Sequence, residues 1–163
     1  MAVSDELKAR LAKPLGKVAS GVYILTAAHA GKSHAMLASW VQQAAFDPPA
    51  LSVALAKDRP IYPLIRESKR FALSILGEHD TALMKKYARG IEPGQDAFEG
   101  MRTVESAGGI ACLGDALGWI ECRVMSVCEF GGDHDLILGE VTAAELLKEG
   151  LPFKHSRGNG FHY

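Results

Sequence analysis

The sequence predicts a mainly β domain with a few short helices, arranged as a barrel or a sandwich. Three observations carry this. Short runs rich in β-formers recur along the chain, several of them alternating apolar and smaller or polar residues. These runs bunch before and after a helical insert instead of alternating with helices, which opposes a doubly wound βαβ order. Glycine is in mild excess at 17 of 163 residues, as a turn-rich chain needs.

The elements follow in order. Leu7, Leu11, Leu15 and Val18 recur at helical spacing behind Ser4 and Asp5, so the chain opens on a helix that covers one opening of the core. Pro14 predicts a stop or kink near Lys13. Residues 22–27 form a first strand, and residues 35–46 a second, longer one ended by Asp47-Pro48-Pro49. Leu51, Val53 and Leu55 alternate as a half-buried strand. Asp58 and Pro60 read as N-cap and early position of a helix whose apolar face is Ile61, Leu64 and Ile65. Phe71, Leu73 and Ile75 alternate again. Residues 78–89 have helical spacing, with Leu83, Met84 and Tyr87 inward and Lys85 and Lys86 outward. Residues 90–118 read as a loop region. Two strands follow at 119–130, with Ile120, Cys122 and Val124 on one face, and at 136–146, with Gly131-Gly132-Asp133 as the hairpin turn.

Composition narrows the function classes. Lys+Arg 18 against Asp+Glu 19 gives a net charge of −1, without the basic surplus of a nucleic-acid binder. No segment approaches the roughly 20 apolar residues that span a bilayer, and the opening residues carry no apolar secretory core. A single cytoplasmic domain over residues 1–163 is the expectation. Three cysteines do not make a closed disulfide framework, and Cys112, Cys122 and Cys128 lack zinc-site spacing, so they read as small buried residues.

Several motifs dissolve on inspection. Gly31-Lys32-Ser33 ends like a phosphate loop, but Thr26 stands where that pattern needs glycine and a strand follows where it needs a helix, so it reads as a polar hairpin turn. Asp133-His134-Asp135 suggests a metal or catalytic cluster, yet neighbours on a strand point to opposite faces. No metal site is expected. Neither Gly-x-Ser-x-Gly nor Gly-x-Gly-x-x-Gly occurs, which removes a nucleophile elbow and a Rossmann site. Haem or a pyridoxal-type phosphate is disfavoured because no His or Cys has an axial-ligand context.

The unusual stretch is 38–49, where Ser39, Trp40, Gln42 and Gln43 place amides and a large ring in an apolar wall; buried amides need partners. Lys57-Asp58-Arg59-Pro60 then sets two cations at a helix entrance, an arrangement suited to phosphate. Together they point to a ligand with a ring and a phosphate.

The run Ala38-Ser39-Trp40-Val41-Gln42-Gln43-Ala44-Ala45-Phe46-Asp47-Pro48-Pro49, followed by Leu51-Ser52-Val53-Ala54-Leu55, resembles the flavin reductase-like, FMN-binding split-barrel family. Arg70-Phe71-Ala72-Leu73-Ser74-Ile75-Leu76 and Gly132-Asp133-His134-Asp135-Leu136-Ile137-Leu138-Gly139-Glu140-Val141 extend the resemblance. The ending Arg157-Gly158-Asn159-Gly160-Phe161-His162-Tyr163 is similar to the terminus of the flavin reductase domain fused to flavodiiron proteins.

This resemblance implies an antiparallel six-stranded split β-barrel that forms a homodimer, with FMN (or FAD) near the interface. It implies an oxidoreductase that takes a hydride from NADH or NADPH onto flavin and passes electrons to a flavin, small-molecule or protein acceptor. By the same resemblance Met36, Leu37, Ala38, Ser39 and Trp40 line the isoalloxazine, and Gln42 and Gln43 face the flavin and its phosphate. Ala56, Lys57, Asp58 and Arg59 hold that phosphate, and His134 is the catalytic candidate beside the nicotinamide. Gln42 and Gln43 replace the small hydroxyls of many relatives, and Trp40 narrows the space over the ring. A flavin-binding electron carrier without its own reductase activity is the alternative.

Overall fold

The computed structural model describes residues 3–92 and 94–161; His162 and Tyr163, which belong to the terminal resemblance, lie outside them. Helix α1 (Asp5–Gly16) begins where the Ser4 hydroxyl accepts the Leu7 N–H at 3.3 Å. Pro14 does not stop it near Lys13. The missing donor falls in the last turn, on an exposed surface, and the Lys17 N–H still bonds the Pro14 carbonyl at 3.0 Å. Nor does α1 cover an opening of the core. Leu7, Leu11 and Leu15 stay 43%, 38% and 40% exposed.

Strands β1 (Tyr23–His29) and β2 (Lys32–Ala38) form a hairpin whose turn residues Ala30 and Gly31 have φ of 49° and 77°. Positive φ at both positions defines the tight turn whose twist matches its strands, so Gly31-Lys32-Ser33 is the polar hairpin expected. The expected single run at 35–46 is instead two strands. β2 pairs with β1, whereas β3 (Val41–Phe46) pairs with β4 (Pro49–Ala56), and the chain crosses between them at Ser39-Trp40. Helix α2 (Ile61–Ser68) starts at Pro60 without a side-chain cap. Asp58 stands two residues too early to cap it and is exposed beside Arg59.

β5 (Arg70–Ile75), α3 (Thr81–Ala88), the short β6 (Thr103–Glu105) and β7 (Ala111–Leu113), β8 (Gly118–Cys128) and β9 (His134–Leu146) complete the chain. Seven strands make one antiparallel sheet in the order β2-β1-β5-β8-β9-β4-β3, and β6-β7 form a separate pair. The resemblance implied six strands. β2 and β3 sit at opposite ends of this order, yet only Ser39 and Trp40 separate them in sequence. The sheet therefore curls until its two ends approach.

The inner face of the curl holds Leu25, Val53, Leu55, Phe71, Leu73 and Ile137, joined by Ile61 and Ile65 of α2. Each side chain contributes roughly 1.5–3 kcal/mol by leaving water. Outside, Tyr87 of α3 packs with Val22, Ile24 and Leu76, and Cys112 of β7 packs with Ala72 and Trp119. Central β5 is thus covered on both faces, and Phe71, Ala72, Leu73 and Ser74 are all buried, not alternating.

Ile120, Cys122 and Val124 share the inner face as expected. Cys128 does not follow Cys122, because β8 carries an extra residue between Val124 and Ser126 and the faces exchange there. Cys128 is exposed, while burial pushes the Cys112 and Cys122 thiols up to about 12. β6–β7 are held by a residue that periodicity did not single out. Glu121 of β8, 1% exposed, accepts the Gly108 N–H at 2.7 Å and pairs with Arg70. Burial alone raises its pKa, but bonds from Ser106, Gly108 and Arg70 outweigh this and hold the carboxyl below its usual range.

Candidate functional site

At the open edge of β2 a cleft of about 410 Å³ lies between the entrance of α2 and helix α3. Hairpin geometry sets its chemistry. A two-residue turn makes His29 and Lys32 a hydrogen-bonded closing pair, and such pairs alternate along the ladder. Lys32, His34, Met36 and Ala38 therefore direct their main-chain groups to β1, while Ser33 and Leu37 turn theirs outward. β2 ends the sheet, so no further strand takes up those outward groups.

Met36, Leu37 and Val22 give the cleft one apolar wall, and Met84 with the Tyr87 ring gives the other. The Tyr87 phenol is used structurally: it donates to the Ala97 carbonyl at 2.9 Å, and burial pushes its pKa up. Ser39, His34, His155 and Arg59 supply the polar groups, and no carboxylate lines the cleft among the described residues. Burial lowers the His34 pKa, which favours a neutral imidazole at neutral pH. The set suits an apolar, partly planar ligand that carries an anionic group.

A second group of side chains sits where the chain crosses between sheet ends. The Trp40 carbonyl accepts the Ala54 N–H at 2.9 Å. Its indole packs on the His134 imidazole at 4.7 Å between ring centroids, and the Arg157 guanidinium lies 5.2 Å from the indole centroid. His134 Nδ1 is 3.1 Å from Asp133 Oδ1, and that hydrogen bond holds the Asp133 carboxyl below its usual range. Asp135 points elsewhere, as neighbours on a strand must. It is 1% exposed, accepts the Tyr62 hydroxyl hydrogen bond, and has the Lys57 ammonium 3.3 Å from Oδ1. That ammonium makes an ion pair, without the alignment of a hydrogen bond. The Tyr62 hydroxyl first, and Lys57 after it, lower the Asp135 pKa. The Lys57 main chain is tied too, its N–H donating to the Asp133 carbonyl at 3.1 Å.

The expected site residues divide accordingly. Met36, Leu37, Ser39 and Arg59 line the cleft. Trp40 and His134 meet beside Arg157. Ala38 belongs to the inner core, and Ala56 is the ladder partner of His134. Asp58 is exposed, and Lys57 is committed to Asp135. Gln42 and Gln43 are not amides in an apolar wall. Both are exposed, because β3 is the other end strand and a register shift follows Gln43. Tyr87 and Met84 were read as the buried face of a helix, not as the wall of a cleft. His34 and His155 carried no signal beyond residue type, and the Tyr62–Asp135 contact joins positions 73 apart. Among the described residues no helix is long and apolar enough to cross a membrane, and no cluster of three or more His, Cys, Asp or Glu is placed to hold a metal.

A sequence model described as "Flavin reductase like domain" matches residues 15–160. A "Diflavin flavoprotein A 1" of Synechocystis sp. is 42% identical over 159 residues, which cover 96% of this chain and 28% of that protein. The chain thus spans little more than a quarter of the curated relatives it matches. Among solved structures, the flavin reductase PheA2 is 29% identical with a TM-score of 0.78, covering 96% of this chain and 95% of that one. The Streptomyces globisporus C-1027 NADH:FAD oxidoreductase SgcE6 has a TM-score of 0.83 at 24% identity, covering 97% of this chain and 93% of that one, a likeness of fold.

Proposed function

The chain belongs to the flavin reductase like domain family, and on that premise we propose that it is an FMN-binding oxidoreductase that accepts a hydride from NADH or NADPH. The observation that carries this is the cleft at the β2 edge: apolar walls, outward main-chain groups at Leu37, and Arg59 at one end, with no carboxylate lining the cleft among the described residues. These residues fit a flavin. Met36 and Leu37 contact the ring, main-chain groups at Leu37 and Ser39 bond its polar edge, and Arg59 neutralises the phosphate. Bound flavin supplies hydride acceptance and one- or two-electron transfer. The protein's residues bind, orient and exclude water. Trp40, packed against His134 and with Arg157 over its ring, would bound the space beside the cleft. His134, its imidazole bonded to Asp133, would contact the nicotinamide.

The split barrel and the homodimer form part of this proposal. Gln42, Ser52, Leu138 and Ser126 lie in register across the outer face of β3, β4, β9 and β8. The helices pack elsewhere, α2 against β1, β2 and β5 and α3 against β2. A second copy on this outer face would bring two sites close to one interface. NADH or NADPH added anaerobically to the FMN-loaded protein should bleach the flavin absorbance. Bound flavin that neither nicotinamide bleaches would select the electron carrier, and a protein that takes up no flavin would sink both readings.

A further inference from the structure

After β9 the chain runs back across the molecule, and residues 151–160 lie over it as an extended strap. Main-chain bonds fix the strap along its length. The Phe153 N–H donates to the Leu76 carbonyl at 2.9 Å, and His155 exchanges both of its main-chain bonds with Ser20, at 2.8 and 2.9 Å. The Arg157 N–H donates to the Gly16 carbonyl at 2.9 Å, and the Gly160 N–H to the Ala12 carbonyl at 2.8 Å. Strap and α1 thus meet backbone to backbone. A Cβ on Gly16 would stand 2.5 Å from the Arg157 carbonyl oxygen, and one on Gly160 2.1 Å from Leu15 Cβ.

Side chains alternate along an extended segment, and the strap follows this rule. Phe153, His155 and Arg157 are half-buried, whereas Pro152, Lys154, Ser156 and Gly158 are exposed. Phe153 packs on the cluster that holds Val22, Leu76 and Tyr87, and His155 lines the cleft. The register that seats Phe153 therefore also brings the Arg157 guanidinium to 5.2 Å from the Trp40 centroid. Trp40 lies in the two-residue crossing, half-buried and outside the packed clusters among the described residues. Its indole meets the His134 ring at a tilt of 43°. A tilted pair is compatible with several indole orientations, whereas a cation over the ring face favours one.

We propose that Arg157 is a positioning residue, holding the Trp40 indole on His134 through a strap that takes its own support from α1. The space that the indole bounds is the one read above as part of a flavin and nicotinamide site, and the consequence for the hydride donor rests on that reading. Helix α1, whose leucines stay outside the core, thereby acquires a role. Its Ala12 and Gly16 carbonyls anchor the strap, so a shift of α1 reaches Trp40 through two main-chain bonds and one cation.

The test compares Arg157→Met, which keeps an unbranched stem and removes the charge, with Arg157→Lys, which keeps a cation. The strap bonds above are all main chain, so neither change removes one. The chain has two tryptophans, and Trp119 is 6% exposed. Acrylamide quenching without ligand therefore reports Trp40, and a Trp40→Phe chain supplies the Trp119 background. Arg157→Met is expected to shift the indole off His134 about two- to fivefold, the strength of one exposed cation–π contact, seen as stronger quenching. Arg157→Lys should restore most of the packing. In the FMN-loaded protein, Arg157→Met should raise the KM for NADH by a similar factor, with kcat and FMN affinity within about twofold of wild type. Gly160→Ala, at a position that does not line the cleft, should drive the strap off α1 and free the indole in the same way. Unchanged quenching in Arg157→Met, or equal quenching in Arg157→Met and Arg157→Lys, overturns the positioning role. The same increase in the Trp40→Phe background marks general loosening and also overturns it. Unchanged quenching in Gly160→Ala overturns the share given to α1. Quenching is read without ligand, so it is decided apart from whether flavin binds, and a freed indole with an unchanged KM removes the nicotinamide from the space beside Trp40 instead.

Discussion

Replacing Arg59 by alanine removes the guanidinium that lines the cleft while leaving its main-chain role intact, because the Tyr62 N–H bonds the Arg59 carbonyl at 2.9 Å. A hydrogen bond to a charged group is worth about 1.5–3 kcal/mol. The Arg59 side chain is 45% exposed, so solvent screening reduces this to about 1–2 kcal/mol, or about 5- to 30-fold in the FMN dissociation constant. Lys57→Ala is the informative companion, since sequence alone gives both cations to the phosphate. The Lys57 ammonium sits 3.3 Å from buried Asp135, its charge already matched, so FMN affinity should change less than about threefold. What Lys57→Ala should lower is stability, because Asp135 keeps only its Tyr62 bond. Titration of FMN fluorescence reads the first effect and urea unfolding the second. Equal weakening in the two variants, or an unchanged FMN affinity in Arg59→Ala, would show that the division of labour is wrong.

Glu121 predicts a pH dependence. Its folded pKa is depressed, so its stabilisation is complete above the ordinary glutamate value of about 4.3 and is lost as pH falls through the lower folded value. Glu121→Gln should cost about 1–3 kcal/mol at pH 7 and flatten the acid limb, seen as urea midpoints that converge with wild type as pH falls through the depressed folded value. Gly139→Ala places a Cβ 2.7 Å from Phe71 Cζ and 2.8 Å from Cys122 Cβ in a packed interior. Overpacking of about 1–3 kcal/mol should lower Tm by about 2–4 °C per kcal/mol, read by calorimetry, with spectra otherwise native. Leu138→Glu, on the outer face opposite the core, should halve the mass measured by sedimentation if a second copy covers that face. An unchanged mass would remove the proposed interface.

Much of this was legible because strands leave a local trace. The apolar runs of β1 and β4 and the helical spacing of residues 81–88 have periods that neighbouring residues impose on one another. The split at Ser39-Trp40 left none. Residues 35–46 are apolar or uncharged throughout, and what divides them is that each half pairs with a different strand. β6 and β7 have three residues each, too short for alternation to register. The site was half legible for the same reason. Met36, Leu37 and Ser39 fall within four consecutive positions and are legible together, whereas Tyr87 and His155 reach the cleft from two distant segments. Lys57 was assigned to a ligand because its partner, Asp135, is 78 positions away in sequence and adjacent only through the β4–β9 ladder.

The crossing at Ser39-Trp40 explains why the site is where it is. A sheet closed by ladder bonds would satisfy the outward groups of β2 with another strand and leave no edge for a ligand. Here the two ends are joined covalently, and each keeps its other main-chain partner: β2 holds β1, and β3 holds β4. The link is too short to let the ends separate, and Trp40 is pinned by Ala54 on one side and packed on His134 on the other. The edge is therefore open but fixed. Main-chain groups at Leu37 and Ser33 are directed outward by the same alternation that builds the hairpin, so the donors need no flexible side chain to place them. A ligand with a polar rim and apolar faces can replace the absent strand, its rim bonding the edge while Met36 and Met84 contact the faces. On this account, a substitution that lengthens the crossing, such as one glycine inserted after Ser39, should release the edge. FMN affinity should then fall more than urea stability, since the inner core at Leu25, Phe71 and Ile137 does not depend on the link. A loss of stability without loss of affinity would mean that the edge is held by packing alone.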